Sequence, residues 1–316
     1  MNRVMDIDLR LLRVFVAVVE AGGYSGAQTA LNISSSTISL HMSDLEKRLG
    51  FRLCERGRSG FQLTDHGLSV FNETKRIFTQ LDEFTGNMAM LRKRLAGKLL
   101  LGMVDSLTTH TDFPLVRALK QFNQLDHEVH VELVVASRTE LERGVLNGHL
   151  HAAIVPFVRK MSGLEFRPVL NEIHHLYVGA GHPLFDRKPG SITTEEICRQ
   201  PFVLRGYQEQ FDYTNFPPSS YEATVHSMEG MLVLLLSGTY IGFLPDHYAY
   251  EWVQKKLLRK IEATDFSYRS RHMLITAQSS KKTTAFTKFL SYIDADVAKS
   301  RQSRNDRHDS LIAAKV

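Results

Sequence analysis

The chain has 316 residues, 43% of them hydrophobic and 23% charged, which is typical of a soluble globular protein of about two domains. Its two cysteines cannot form a disulfide framework, and no apolar run reaches the roughly 18 residues of a membrane span. The N-terminal stretch MNRVMDIDLR lacks the apolar segment of a secretory signal, so we expect a cytoplasmic protein without membrane contact. A net charge of +5 and a pI near 9.1 permit nucleic-acid binding without establishing it.

Three short helices are predicted in the N-terminal region. The first begins near Asp8 and ends at Gly22-Gly23. The second lies in YSGAQTALNI and is closed by Asn32. The third lies in SSSTISLHMSDLEKRLG, with Ser34 as the expected N-cap and Gly50 as the expected end. The short turn between the second and third helices is typical of a helix-turn-helix, whose second helix enters the major groove of DNA.

The third helix has two different faces. Its buried stripe is predicted to be Ile38, Met42, Leu45 and Leu49. Its opposite face is predicted to be Ser36, Leu40, Ser43 and Lys47. A solvated face usually carries long charged side chains, whereas small hydroxyl groups allow close approach to phosphates and base edges. The alternative is that these serines only cap and solubilise the helix.

A hairpin is predicted after the third helix. The alternating segments Phe51–Cys54 and Phe61–Leu63 flank a tip that is rich in glycine and arginine. Arg56 and Arg58 at this tip would make the hairpin a wing that reaches the DNA backbone or minor groove. The combination of helix-turn-helix and wing favours DNA binding.

A long helix is predicted from Asp65 to Gly97. Its mostly apolar seam positions recur every 3.5 residues, which is typical of a coiled coil: Val70, Thr74, Ile77, Leu81, Phe84, Met88, Leu91 and Leu95. Thr74 and Gly86 weaken this seam without erasing it. The alternative is a long helix that packs on its own domain.

Short apolar strands alternate with helices after residue 98, which predicts parallel strands and two α/β lobes with a ligand cleft between them. The domain boundaries expected on this basis are 1–64 for a winged helix-turn-helix, 65–97 for the long helix and 98–298 for the lobes. The first lobe takes about 98–160 and 268–298, and the second about 161–267. Residues 299–316 are basic and weakly periodic, so we expect a disordered tail.

The chain resembles the LysR-type transcriptional regulators over about residues 5–295. FVAVVEAGGYSGAQTALNISSSTISLHMSDLEKRLGFRLCERGRSGFQLTDHG is similar to the family's winged helix-turn-helix, including LEKRLGFRLCERG for its LE-x-x-LG-x-x-LF-x-R pattern. NGHLHAAIV, GAGHPLF and LLLSGTYIGFLP resemble later family segments. The resemblance implies an α+β and α/β multidomain fold, with a winged helix-turn-helix, a dimerising linker helix and a two-lobed domain like the periplasmic binding proteins. It also implies a regulator that binds operator DNA as a homodimer or homotetramer, senses a small metabolite and can contact RNA polymerase.

The resemblance and the helix faces together give a set of candidate DNA-binding residues. Those expected to read bases are Ser35, Ser36, Ser39 and Leu40, and those expected near the backbone are Arg52, Arg56 and Arg58. Ser34, Thr37, Ser43 and Lys47 complete the predicted surface. The family commonly has Gln-Pro in place of Ser35-Ser36 and a basic or polar residue in place of Leu40. Leucine cannot donate to guanine but can pack on a thymine methyl, so we expect an operator unlike the family average.

Ligands of two-lobed folds lie outside the C-terminal ends of the strands, near helix N-termini. The candidate effector-binding residues at these positions are Ser106, Thr108, Thr109, Arg138, Phe157, Arg205, Tyr207, His226 and Ser227. Arginine and histidine side chains converging with hydroxyls would suit a carboxylate or another anion.

Several other patterns are weaker. The pairs His127 and His130, His149 and His151, and His174 and His175 lack a completing ligand, so we expect neither a metal nor another cofactor. Cys198 is interpreted as a packing residue rather than a redox sensor. An enzyme or a solute-binding module with an accessory DNA-binding domain remains the alternative. No nucleophile elbow of the G-x-S-x-G type supports catalysis, so we expect a protein that is not an enzyme.

Overall fold

The structure is a computed structural model that describes residues 6–57, 60–90, 95–188, 190–206, 221–262, 266–278 and 282–313. The chain divides into two compact units, residues 1–84 with 147–149 and residues 85–146 with 150–316. Among the helices in the described ranges, none combines the length and the apolar composition needed to cross a membrane.

The first unit is built from three short helices, a hairpin and a long helix: α1 (Asp6–Glu20), α2 (Tyr24–Leu31), α3 (Ser35–Leu49), β1 (Cys54–Gly57), β2 (Gly60–Leu63) and α4 (Asp65–Met90), whose last residues belong to the second unit. Phe15, Ala27, Ile38 and Met42 meet in its buried core. The predicted end of α2 is confirmed, because Asn32 takes the left-handed conformation (φ 52°) that stops the helix.

The hairpin begins later than its sequence predicts. Strand pairing starts at Cys54, opposite Leu63, rather than at Phe51. The carboxylate of Glu46 on α3 accepts hydrogen bonds from the backbone N–H of Leu53 (2.8 Å) and of Cys54 (3.4 Å). A side chain of α3 therefore binds the backbone at the entrance to the wing.

Helix α4 ends at Met90, before the predicted end at Gly97, and Gly97 lies inside the next strand. Its φ of 108° is a conformation that glycine adopts without strain. Of the predicted seam, Thr74 is buried, whereas Ile77, Leu81 and Phe84 are exposed. Met88 and Leu91 lie outside the described side chains. The predicted seam thus leaves a row of apolar side chains open to a partner.

The second unit is one mixed β-sheet flanked by helices. In chain order its elements are β3 (Leu95–Met103), α5 (Pro114–Phe122), β4 (His127–Val135), α6 (Arg138–Leu146), β5 (Ala152–Pro156), β6 (Leu164–Gly179), α7 (Thr194–Cys198), β7 (Phe202–Arg205), β8 (Tyr221–Val225), α8 (Met228–Leu236), β9 (Ile241–Pro245), α9 (Asp246–Gln254), β10 (Leu258–Lys260), β11 (Ser267–Ala277) and α10 (Thr284–Ala313). Across the described residues the strand order is β4-β3-β5-β11-β6-β9-β7-β8, with β10 also paired to β6.

Two long strands run through both lobes. β6 and β11 pair antiparallel from Leu164 opposite Ala277 to His175 opposite Ser267. β11 also pairs with β5 in the first lobe, and β6 pairs with β9 in the second. The sequence predicts neither the first half of β6 nor β11, so it misses this central antiparallel pairing. The parallel pairing predicted from the first strands after residue 98 is confirmed. The parallel pairs lie at the two ends of the sheet, where β3 joins β4 and β5, and β7 joins β8 and β9.

The C-terminal segment differs from the expected disordered tail, because α10 continues to Ala313. Residues 284–313 contain neither glycine nor proline, so no strong helix breaker interrupts a continuous helix. The start of α10 packs Phe286, Phe289 and Ile293 into the core of the first lobe.

Candidate nucleic-acid interface and ligand cleft

Ser34 is the N-cap of α3, as its sequence predicts. Its backbone is extended (φ −70°, ψ 154°), and its Oγ accepts a hydrogen bond from the N–H of Thr37 at 3.2 Å. The same Oγ lies 2.8 Å from the hydroxyl oxygens of both Ser36 and Thr37. Three hydroxyl groups therefore cluster at the positive end of the helix, where an anion such as phosphate is favoured.

The two faces of α3 are largely as predicted. Ile38, Met42 and Leu45 are buried, while Leu49 is 36% exposed, which corrects its assignment to the buried stripe. Leu49 is the last residue before the left-handed Gly50, so it lies at the end of the helix and outside the contacts of the core. Leu40 is 60% exposed on the opposite face.

The outer surface of α3 is short-chained. Ser36, Lys47 and Arg52 are exposed, and the remaining predicted positions are partly exposed: Ser35, Thr37, Ser39 and Ser43. The side chain of Arg56 and all of Arg58 lie outside the described residues. This surface offers hydroxyl groups to phosphates or base edges, a methyl-bearing side chain at Leu40 and a cation at Lys47.

A cavity of about 250 Å³ lies in the second unit, at the carboxyl ends of β3 and β4 and the N-terminus of α8. The structure brings five of the predicted effector-binding residues to it: Ser106, Arg138, Arg205, His226 and Ser227. Thr108, Thr109 and Phe157 are not among its lining residues, and Tyr207 lies outside the described residues. Thr109 instead contacts Nδ1 of His247 at 2.7 Å, and Phe157 packs edge-on against Phe166.

Asp105 adds a carboxylate to this cavity. Its Oδ2 accepts a hydrogen bond of 2.5 Å from the backbone N–H of Met228, the first residue of α8. Burial raises the pKa of Asp105, and the Met228 N–H and the charge of Arg205 oppose that rise without cancelling it. The residue comes from the first lobe and α8 from the second, so this bond joins the two lobes.

Glu172 on β6 is a second carboxylate that lines the cavity. It is buried and accepts hydrogen bonds from Nε2 of His174 (3.1 Å) and Nε2 of His247 (2.8 Å). Burial alone would raise its pKa, but these bonds and the nearby His272 outweigh burial and hold the pKa of Glu172 well below its usual value. Glu172 is therefore ionised, within a group of histidines.

Arg205 is buried and engaged by the protein itself. Its Nη1 donates to the hydroxyl of Tyr268 at 2.5 Å, and its Nη2 donates to Nδ1 of His174 and to the carbonyl of Phe243. Arg138 is also buried, and its Nη1 donates to both carboxylate oxygens of Glu142, at 2.9 and 3.2 Å. Both guanidinium groups line the cavity, but each is held in place by partners within the protein.

Six polar lining residues are not among the predicted ones: Asp105, Ser137, Glu172, His174, Ser270 and His272. Asp105 directly precedes the predicted Ser106, so its place at a strand end was a usable signal. Ser137 directly precedes the predicted Arg138 in the same way. Glu172, Ser270 and His272 lie on parts of β6 and β11 that the strand pattern did not predict. His174 begins a segment that was predicted as a strand but not as part of the site. Among the described residues, the structure contains no group of three or more His, Cys, Asp or Glu side chains suited to a metal ion.

Two family models match the chain. The helix-turn-helix of bacterial regulatory proteins of the lysR family matches residues 9–68. The LysR substrate binding domain matches residues 92–298. Together they cover the three short helices, the wing and the first residues of α4, and the sheet that carries the cavity.

Individual proteins agree with the family models. The HTH-type transcriptional activator BauR of Pseudomonas aeruginosa is 36% identical over 291 residues, which span 92% of this chain and 95% of BauR. A crystal structure of full-length CbnR with its target DNA has the same fold (TM-score 0.64, 20% identity, covering 91% of this chain and 99% of CbnR). So does full-length LysG of Corynebacterium glutamicum with bound effector Arg (TM-score 0.54, 16% identity, covering 95% and 99%). The chain belongs to the LysR family of bacterial transcriptional regulators, with a DNA-binding N-terminal domain and an effector-binding C-terminal domain.

Proposed function

We propose that this protein is a cytoplasmic transcriptional activator that reads its operator through α3 and the wing and responds to a small anionic effector. Activation is proposed because BauR, the relative with 36% identity, is named a transcriptional activator. An activator acts through RNA polymerase, which we propose as a further partner. The single observation that carries the DNA-reading assignment is the short-chained outer face of α3 with Leu40 exposed on it. We expect no catalytic turnover, in keeping with the family.

The proposed DNA-binding surface divides by role. The hydroxyl cluster of Ser34, Ser36 and Thr37 at the helix N-terminus supports a phosphate contact. Leu40 supports recognition of a thymine methyl, because an exposed apolar side chain cannot hydrogen-bond a base edge. The remaining members of the proposed surface are Ser35, Ser39, Ser43, Lys47, Arg52, Arg56 and Arg58.

The test of this surface is selection of bound sequences from a random DNA library by the wild type and by Leu40→Arg. We expect Leu40→Arg to exchange a thymine preference for guanine at one position of each half-site, since arginine pairs bidentately with guanine. Val116→Arg, which places the same side chain at an exposed position of α5, is the control and should select the wild-type sequence. An unchanged preference with Leu40→Arg would remove Leu40 from the reading surface. A separate experiment, genome-wide mapping of the DNA bound by the wild type, would identify the regulated genes.

The proposed effector site is the cavity of the second unit. An oxyanion is supported by the hydroxyls of Ser106 and Ser227, the ring of His226, the charge of Arg205 and the N-terminus of α8, which all line one cavity. Because Arg138 is paired with Glu142, we assign it to the wall of the cavity rather than to the ligand's charge.

A homodimer or homotetramer is proposed as the working form. The exposed side chains of Ile77, Leu81 and Phe84 follow one another at spacings of four and three residues along α4. A matching helix from a second copy would cover this apolar row as a coiled coil.

A further inference from the structure

The N-terminus of α8 is already occupied by a carboxylate of the same chain. Helix N-termini leave backbone N–H groups without intrahelical partners and carry partial positive charge, so they favour anions. In α8, the N-cap Ser227 accepts the N–H of Gly230 at 3.1 Å, and Asp105 accepts the N–H of Met228. The place where an anionic ligand would bind α8 is therefore filled by Asp105.

The surroundings of Asp105 are suited to an anion in two further respects. The positive charge of Arg205 acts on the Asp105 carboxylate and favours its ionised form. Ser106 and Ser227 line the same cavity and supply hydroxyl donors. A ligand carboxylate in this position would meet the same donors that Asp105 now meets.

A separate observation concerns a buried histidine that lines the same cavity. His272 on β11 lines the cavity and is 3% exposed, and its Nδ1 has no hydrogen-bond partner among the described residues. A buried polar atom without a partner costs free energy of about 1–3 kcal/mol, which a bound ligand could recover. His272 lies on β11, so it belongs to a different element from the two that the Asp105 contact joins.

We propose that Asp105 is a built-in competitor of the effector: its carboxylate occupies the N-terminus of α8, and a carboxylate or another oxyanion of the effector binds there by displacing it. The proposal rests on the anionic effector proposed above. Asp105 belongs to the first lobe and α8 to the second, so the displacement replaces a direct bond between the lobes with one made through the ligand. Asp105 then sets both the affinity for the effector and the arrangement of the lobes without it.

The alternative role for Asp105 is to bind the ligand directly, and it predicts the opposite effect of substitution. A carboxylate in a cavity can instead bind a cationic group of the ligand, such as an ammonium. Neutralising Asp105 would then weaken ligand binding, whereas neutralising a competitor strengthens it. The sign of the change separates the two roles.

The experiment uses the full-length chain, wild type and Asp105→Asn, with acetate, succinate and glutarate as carboxylate probes and ethylamine and putrescine as amine probes. Binding is measured by titration calorimetry, and protection of the α8 amides by hydrogen exchange with mass spectrometry. We expect Asp105→Asn to lower the half-saturating concentration of at least one carboxylate by about fivefold or more, a typical size for coupled binding events. Without ligand, exchange at the start of α8 should be faster in Asp105→Asn, and the carboxylate should restore protection.

Asp294→Asn is the matched control, since it removes an exposed carboxylate of α10 that is not among the cavity's lining residues. It should bind and exchange as the wild type does. If Asp105→Asn does not fold, Asp105→Ser carries the same test, because serine also removes the charge.

Three results would overturn the proposal. They are an unchanged or higher half-saturating concentration for every carboxylate, a loss of amine binding on Asp105→Asn, and α8 protection that is the same in both proteins. If no carboxylate binds either protein, the anionic effector fails together with the competitor. Operator binding, measured by gel shift on the same preparations, then shows whether the regulator itself is intact.

Discussion

Arg205 donates a hydrogen bond from Nη2 to Nδ1 of His174 over 3.1 Å. A guanidinium group can only donate, so Nδ1 of His174 carries no proton, and the proton lies on Nε2. That nitrogen faces Oε2 of Glu172 at 3.1 Å and donates to it. Burial lowers the pKa of His174 to about 4, so the ring is a neutral bridge between a buried cation and a buried anion.

We expect Glu172→Gln to destabilise the second unit. Glutamine offers one acceptor oxygen and adds an N–H₂ donor, so His174 or His247 loses its acceptor. The expected loss in the free energy of unfolding is about 1–3 kcal/mol, the usual cost of a buried unsatisfied donor. Urea unfolding measures it, with Glu165→Gln at an exposed position of the same strand as the control. Equal stabilities for the two variants would contradict this account of Glu172.

The same network changes how an arginine substitution is interpreted. Arg205 contacts Tyr268, His174 and the carbonyl of Phe243 in addition to lining the cavity. Removal of its side chain would therefore disturb the core of the second lobe as well as the effector site. Substitutions at Ser227 or Asp105 test ligand binding with less damage.

We expect the stability of the protein to fall between pH 7 and pH 4, partly through His151. Burial lowers the pKa of His151 to about 4, and its Nδ1 accepts the N–H of Leu100 at 3.1 Å. In the unfolded chain the imidazole takes up a proton near pH 6.5, whereas in the folded chain it stays neutral until about pH 4. Between these values the unfolded state binds more protons, so the free energy of unfolding decreases as the pH falls, by at most roughly 1.4 kcal/mol per pH unit for this residue.

The check is urea unfolding at pH 7 and pH 5 for the wild type and His151→Asn. Asparagine keeps an acceptor near Leu100 but does not titrate, so the difference between the two pH values should shrink. His130→Asn removes an exposed histidine on β4 and serves as the control. An undiminished pH difference in His151→Asn would contradict the assignment.

Two substitutions at Ser34 should separate capping from DNA binding. Ser34→Ala removes the acceptor for the Thr37 N–H and should lower stability by about 1 kcal/mol. Ser34→Asp keeps a capping acceptor but adds a negative charge beside the proposed phosphate contact. We expect near wild-type stability and weaker operator binding for Ser34→Asp, measured by thermal unfolding and fluorescence anisotropy. If Ser34→Asp binds the operator as tightly as wild type, no phosphate lies at this end of α3.

A charge within the apolar row of α4 should prevent association. Ile77→Glu places a carboxylate in the proposed seam, where it would be buried against a second copy. Sedimentation velocity should show a smaller species than for the wild type. Gln80→Glu adds the same charge at another exposed position of α4 and should leave the assembly unchanged. An unaltered sedimentation coefficient for Ile77→Glu would place the oligomer interface elsewhere.

The features predicted correctly from the sequence are those set by local chemistry. Each of these features depends on neighbours within about one or two helical turns: the cap at Ser34, the helix ends at Asn32 and Gly50, and the buried Ile38 and Met42. The order of the domains was predicted from the resemblance to the LysR family rather than from local chemistry.

The missed features depend on contacts between distant parts of the chain. Asp105 bonds Met228, 123 residues away, and no periodicity reports such a pair. Glu172 and His272 meet because β6 and β11 pair antiparallel, whereas short apolar runs favoured parallel strands. The predicted tail failed for a different reason: its charge suggested disorder, while the absence of glycine and proline allowed α10 to continue.

The bond between Glu46 and the wing backbone has a consequence for the operator. Glu46 is on α3, and its carboxylate binds Leu53 and Cys54 where the hairpin begins. The start of the hairpin is therefore tied to α3, the helix proposed to face the groove. If α3 and the wing both contact the operator, as proposed above, this tie limits the change in their separation, so inserting or deleting a single base pair between their two contact points should weaken binding.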